Sequence, residues 1–163
     1  MNTKEHAFMR DVITKYHPKF VTSNDLRQTG LSCPTYFNIE FLTEEALAAV
    51  GGYQFVDQAG YDFSDLSDSK TTTVNHNTGV VEITGVENKI GSLRITAFNP
   101  FKETVDYFFV PRSKLDLVRE PCYGKNNHKQ RVRFSYSKNY QDSYGWFDIY
   151  RVNDFVQLAT LKG

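Results

Sequence analysis

After Gly51-Gly52 the chain becomes a succession of short apolar and β-branched runs cut by turn residues, and that rhythm limits what it can fold into. The runs cover 53–56, 68–74, 80–86, 92–98 and 105–111, separated by Asn/Gly or Pro punctuation. Val, Ile, Thr, Tyr and Phe suit a pleated, half-buried surface, whereas Gly, Pro and Asn suit the bends between strands. Connections this short predict an antiparallel or mixed sheet. Residues 131–137 read as a further strand, and 152–161 as a terminal helix or strand.

Ahead of these runs the pattern is helical. Residues 3–16 carry Ala7, Phe8, Val12, Ile13 and Tyr16 at helical intervals and stop at His17-Pro18. Residues 21–30 offer capping residues, a short helical stretch and a stop at Gly30. Two such pieces around a turn could make a helix-turn-helix-like element; with Arg27 the only base in the second, packing helices are the simpler reading. Thr43 reads as the N-cap of a helix over 43–50 that Gly51-Gly52 ends. Helices before a contiguous run of strands predict an α+β fold with a central mixed or antiparallel β-sheet and N-terminal helices. A chain of 163 residues can build its own core, so the expectation is a single domain over 1–163, helical over 1–50 and β-rich over 53–163.

Composition removes several functional classes. Zero net charge provides no global field for nucleic acid, so any such contact has to come from a local patch. Cys33 and Cys122 have no CxxC or Cys/His spacing, which excludes a disulfide scaffold and a zinc finger and fits a reduced cytoplasm. A polar N-terminus and no apolar run of membrane length predict neither a secretory signal nor a membrane partner, and a homodimer stays open. Aromatic residues make up 15% of the chain, most of them expected in the core and some available to stack on bases.

The densest chemistry lies in 62–73, where Asp62, Asp65 and Asp68, three residues apart, run into Lys70 and Thr71-Thr72-Thr73. On a strand Asp68 and Lys70 share one face, with Ser69 on the other. Carboxylates bind Mg²⁺ through hard oxygens, and a lysine beside them can help a water lose its proton. The bland alternative is a solvated acidic loop before a strand. A local basic patch also exists: 121–138 holds Lys125, Lys129, Arg131, Arg133 and Lys138 without an acid, interleaved with Tyr123, His128, Phe134 and Tyr136. Arg131 and Arg133 would share a strand face, either as a phosphate-binding stripe or as a solubilising surface. Glu82 and Arg94 interrupt apolar strands, as outward charges or as members of the same polar site, and Asn75-His76-Asn77 reads as a turn.

Asp68-Ser69-Lys70-Thr71-Thr72 resembles the acid-x-Lys signature of the restriction-endonuclease-like nucleases, the PD-(D/E)xK superfamily, in which an upstream Asp and an (Asp/Glu)-x-Lys tripeptide lie on neighbouring strands. Glu87-Asn88-Lys89 is a second copy. With the first tripeptide the upstream acid would be Asp57 or Asp62; with the second it would be Asp65 or Asp68. The family's proline before the first acid is missing here. Together with Lys89-Ile90-Gly91-Ser92-Leu93-Arg94, the segment is also similar to small uncharacterised proteins of phages and bacterial genomic islands.

The resemblance implies a reduced restriction-endonuclease-like core and a cytoplasmic DNA endonuclease dependent on Mg²⁺ or Mn²⁺, of phage or mobile-element origin. Asp65 and Asp68, with Glu82 or Glu87, would hold the ion, and Lys70 or Lys89 would position the water. Arg94 would steady the developing phosphate charge, while Lys125, Lys129, Arg131 and Arg133 hold the DNA backbone. Ligand density favours the first tripeptide, because Asp65 and Asp68 supply two oxygens from one short segment. The competing expectation is a non-catalytic nucleic-acid-binding or protein-interaction factor that keeps the basic stripe and lacks the ion.

Overall fold

The computed structural model describes residues 36–162, so the helical expectations at 3–16 and 21–30 lie outside the described residues. The elements run α1 (Tyr36–Gly51), β1 (Phe55–Gln58), β2 (Tyr61–Phe63), β3 (Asp68–Thr73), β4 (Val80–Thr84), β5 (Leu93–Asn99) and β6 (Thr104–Val110). They continue with α2 (Leu115–Val118), β7 (Glu120–Pro121), β8 (Gln130–Ser135), β9 (Arg151–Val152) and α3 (Phe155–Thr160). The fold is α+β. Thr43 is not a cap: it lies inside α1 and is fully buried, because the helix continues on its N-terminal side to Tyr36.

The sequence pattern predicts one central sheet, and the strands instead divide among three. A mixed sheet has the order β3-β5-β6-β9, an antiparallel sheet the order β4-β8-β7, and β1-β2 form a separate pair. Burial explains the division. Every residue of β5 is buried, as a central strand covered on both faces requires, whereas Val81 and Ile83 of β4 are buried between exposed Glu82 and Thr84. Such a strand has one dry face, and β4 uses it to close over the mixed sheet.

Three layers result. Leu42, Ala46 and Leu47 of α1 and Phe155, Leu158 and Ala159 of α3 pack on Phe98, Val105, Tyr107 and Phe109. On the opposite face Leu93, Ile95, Phe108 and Val110 meet Val81, Ile83, Val132 and Phe134. Much of the aromatic content sits here, with the Phe134 and Phe147 rings stacked 4.0 Å apart and Phe108 edge-on to Tyr144. Burial of each such side chain is worth roughly 1.5–3 kcal/mol against about 0.5–1.5 kcal/mol for a favourable ring pair, so area rather than ring geometry dominates this layer. Among the described residues no helix is long and apolar enough to cross a membrane.

β3 is the edge strand of the mixed sheet and runs parallel to β5, with Asp68 opposite Leu93, Ser69 opposite Arg94 and Lys70 opposite Ile95. Leu93 and Ile95 face the second sheet, so Asp68 and Lys70 lean to that side and Ser69 to the helices, the alternation expected from sequence. The turn at 75–79 also forms, with Asn75 Oδ1 accepting from the backbone N–H groups of Asn77 and Thr78.

Arg94 is 1% exposed on the helix side. Its Nε donates to Ser67 Oγ at 3.0 Å, one terminal nitrogen to the Leu158 carbonyl at 2.5 Å and the other to Asp65 Oδ2 at 2.8 Å. Burial alone would raise the Asp65 carboxyl; hydrogen bonds from Ser67 and Arg94 outweigh it and hold Asp65 below the ordinary carboxylate range. We expect Asp65→Ala to lower stability by about 2 kcal/mol, under the ~3–5 kcal/mol of a fully buried pair because the Asp65 side chain keeps 30% of its surface in water. A depressed folded pKa stabilises above the unfolded value, so the contribution is present above about pH 4 and vanishes as pH falls further. Denaturant titrations at neutral and acid pH should show the deficit of the variant only in the first.

Candidate functional site

A pocket of about 450 Å³ wraps the edge of β3, lined by Glu40, Phe41 and Glu44 of α1, by Phe55, Asp57 and Asp62, and by Asp68, Ser69, Lys70 and Lys89. Asp68 lies at its inner end with a side chain only 3% exposed, and two ammonium groups address its two oxygens. Lys89 Nζ is 2.9 Å from Oδ1 and Lys70 Nζ 4.0 Å from Oδ2. The two acid-x-Lys tripeptides, which look like rivals in sequence, therefore meet at one carboxylate.

Local backbone explains how. Asp62 Oδ2 accepts from the Ser69 N–H at 3.0 Å, and the N–H groups of Asp62 and Phe63 both donate to the Ser67 carbonyl. Leu66 takes a positive φ of 73°, a conformation uncommon outside glycine, and reverses the chain between Asp65 and Asp68. Gly91 then passes so close that a Cβ there would lie 2.0 Å from the Leu66 carbonyl oxygen. At the end of β4, Gly85 adopts φ +73°, and a Cβ built on it would sit 3.5 Å from Lys70 Nζ.

Five carboxylates line this pocket against two lysines, and their protonation reflects the imbalance. Burial, with the nearby Asp62 charge, pushes Asp68 up to about 7 against the pull of Lys89 and Lys70. Burial, reinforced by Asp62, Glu40, Asp68 and Asp57, pushes Glu44 up to about 8. Glu40 is also raised, by burial first, with Lys70 opposing. Crowded hard-oxygen donors of one sign are the kind of donor a divalent cation takes, although the present grouping does not make a site for one. Among the described residues no three His, Cys, Asp or Glu side chains are grouped so as to hold a metal ion as they stand.

Of the residues singled out in the sequence, Asp68, Lys70 and Lys89 come together, as do Asp57 and Asp62 from the set of upstream acids. Asp65, Glu82, Glu87 and Arg94 do not line this pocket. Asp65 is turned to the helix side by Leu66 and pairs with Arg94, whose nitrogens are all engaged within the protein. Glu82 points outward from β4 and holds Arg131 at 3.0 Å, while Glu87 lines an adjacent groove of about 750 Å³ with Lys89, Lys129, Arg131 and Tyr123. Arg131 and Arg133 do share the outer face of β8, but Arg131 is 8% exposed and bridged to both Glu82 and Glu120, leaving Lys125, Lys129 and Arg133 exposed.

Glu40 and Glu44 are the acids that sequence reasoning missed. Their four-residue spacing on one helix face was the available signal. Because the folded pKa of Glu44 lies near 8 and its ordinary value is 4.5, the folded state retains a proton that the unfolded chain releases, and stability should fall as pH rises between those values. With divalent ions chelated, Glu44→Gln should flatten that decline and raise the melting temperature at pH 8 more than at pH 5; equal gains at both would show that Glu44 is not under this strain. No protein-family model and no curated protein matches the chain, so its chemistry is read from this geometry.

Proposed function

We propose that the chain is a divalent-metal-dependent DNA endonuclease whose centre is the Asp68 pocket. The observation that carries this reading is Asp68 itself: a buried carboxylate flanked by two lysines, inside a ring of further carboxylates too numerous for those lysines to neutralise. Hydrolysis of a phosphodiester adds one water oxygen to phosphorus, expels an ester oxygen, and needs a proton taken from the water and one given to the leaving group. A bound Mg²⁺ or Mn²⁺ supplies charge neutralisation and a more acidic water. Asp62, Asp68 and Glu44, which share the pocket, would have to draw together to hold it. Lys70 and Lys89 bind the anionic phosphate oxygens and stabilise the extra charge of the transition state. Glu40, whose carboxyl burial raises above its ordinary value, takes up the water proton, and the leaving ester oxygen takes its proton from solvent water. Lys125, Lys129 and Arg133 are the exposed cations for the DNA backbone.

The test combines calorimetry with Mn²⁺ and plasmid nicking. Wild type should bind the ion and nick DNA, Asp68→Asn should abolish both, and Lys70→Ala should keep the fold while slowing cleavage at least about a hundredfold. Glu87→Gln should leave most of the ion affinity. Cleavage that survives Asp68→Asn overturns the site. Absence of Mn²⁺ binding by the wild type favours the non-catalytic reading, in which Asp68 and its lysines form a structural ion cluster.

A further inference from the structure

The groove beside the Asp68 pocket holds an aromatic side chain whose setting is unusual for a surface residue. Tyr123 is 80% exposed, and the Arg131 guanidinium lies over its ring at 4.6 Å from the centroid. That guanidinium is itself fixed by Glu120 at 3.1 Å and Glu82 at 3.0 Å. One face of the ring is therefore taken and the other is open to water. Arg131 thus holds two carboxylates and lies against Tyr123.

The groove is mixed in charge, lined by Glu82 and Glu87 as well as Lys89, Lys129 and Arg131, with Glu82 offset by its pairing to Arg131. Tyr123 stands in the loop joining β7 to β8, closed by a hydrogen bond of 2.8 Å from the Cys122 N–H to the Lys129 carbonyl, and Lys125 and Lys129 are exposed on the same loop. Lys89 lines both this groove and the Asp68 pocket, so the two cavities are neighbours across one side chain. A held aromatic with one open face, flanked by cations, takes a base by stacking, and it takes any base, since each has a π-face. Duplex DNA keeps its bases stacked on one another and presents only their edges and its phosphates.

We infer that Tyr123 is a stacking platform for an unpaired base, and that the strand served by the Asp68 pocket is single-stranded next to the scissile phosphate. The link to cleavage rests on the proposed hydrolase reading; the platform itself does not. The experiment is fluorescence anisotropy of the full chain in a chelator, with a labelled oligothymidylate and a labelled blunt duplex of equal length. Wild type should favour the single strand. Tyr123→Ala should weaken single-strand binding about tenfold or more, Tyr123→Phe should retain it, and neither should change duplex binding. Unaltered single-strand affinity in Tyr123→Ala overturns the platform, as does an equal loss for duplex and single strand. Cleavage assays with Mn²⁺ separate the two claims. Tyr123-dependent binding without cleavage by wild type removes the hydrolase and keeps the platform, whereas cleavage by wild type with single-strand binding indifferent to Tyr123 removes the platform and keeps the hydrolase.

Discussion

A guanidinium buried to 1% exposure has to have its N–H groups met and its charge balanced inside the protein, and that demand on Arg94 organises the layer around it. It reaches four parts of the chain that are distant in sequence: Ser67 and Asp65 in the loop before β3, Leu158 in α3, the ring of Tyr53 and the ring of Phe109, the rings each about 5 Å from the guanidinium carbon. The loop carrying the acids is thereby fastened to the sheet at Ser67, one residue ahead of Asp68. Close approach of Gly91 to the Leu66 carbonyl closes the same loop from the other side. Asp68 is thus positioned by the core of the protein, and its burial does not depend on anything bound to it.

Edge position then decides what the site can be. An edge strand exposes unpaired backbone groups, and charged side chains on it oppose pairing with another chain. On β3 only Lys70 of the two is partly exposed, so it alone carries charge to that edge, while Asp68 is buried beneath its lysines. Their further potential comes from the layers meeting there. α1 brings Glu40 and Glu44 down one side of β3, and the segment after β4 brings Gly85 and Lys89 down the other. Carboxylates from the helix side and lysines from the sheet side share a single opening, which neither layer could form alone.

Much of this was legible in the sequence. Period-two alternation placed Asp68 and Lys70 on one strand face and the apolar residues of β4 and β8 inward, because one-sided burial imposes that pattern. What alternation cannot reveal is partnership. Asp65 and Asp68 look like one cluster until Leu66, with its positive φ, sends them to opposite sides of the sheet. Lys70 and Lys89 look like alternatives because they are 19 positions apart, and only the parallel pairing of β3 with β5 brings the segment before β5 back to the start of β3. The ion pairs of Arg131 are hidden for the same reason: no acid lies near it in sequence, but antiparallel β4 and β7 lay Glu82 and Glu120 beside it.

Lys89 joins the two cavities physically and electrostatically. Its ammonium lies 2.9 Å from Asp68 while its side chain also borders the groove that holds Tyr123. A phosphate approaching from that groove meets carboxylates that outnumber the lysines, and Lys89 cannot fully serve the phosphate while it is the closest counter-charge of a buried Asp68. On the proposed reading, Asp62, Asp68 and Glu44 would hold a cation whose charge would free Lys89 from Asp68 for the phosphate. The two binding events then share one free energy of coupling, so each strengthens the other by the same factor. On that reading, charge balance at a single lysine would set the order, with the strand entering the Asp68 pocket only after a cation had offset the carboxylates that outnumber its two lysines.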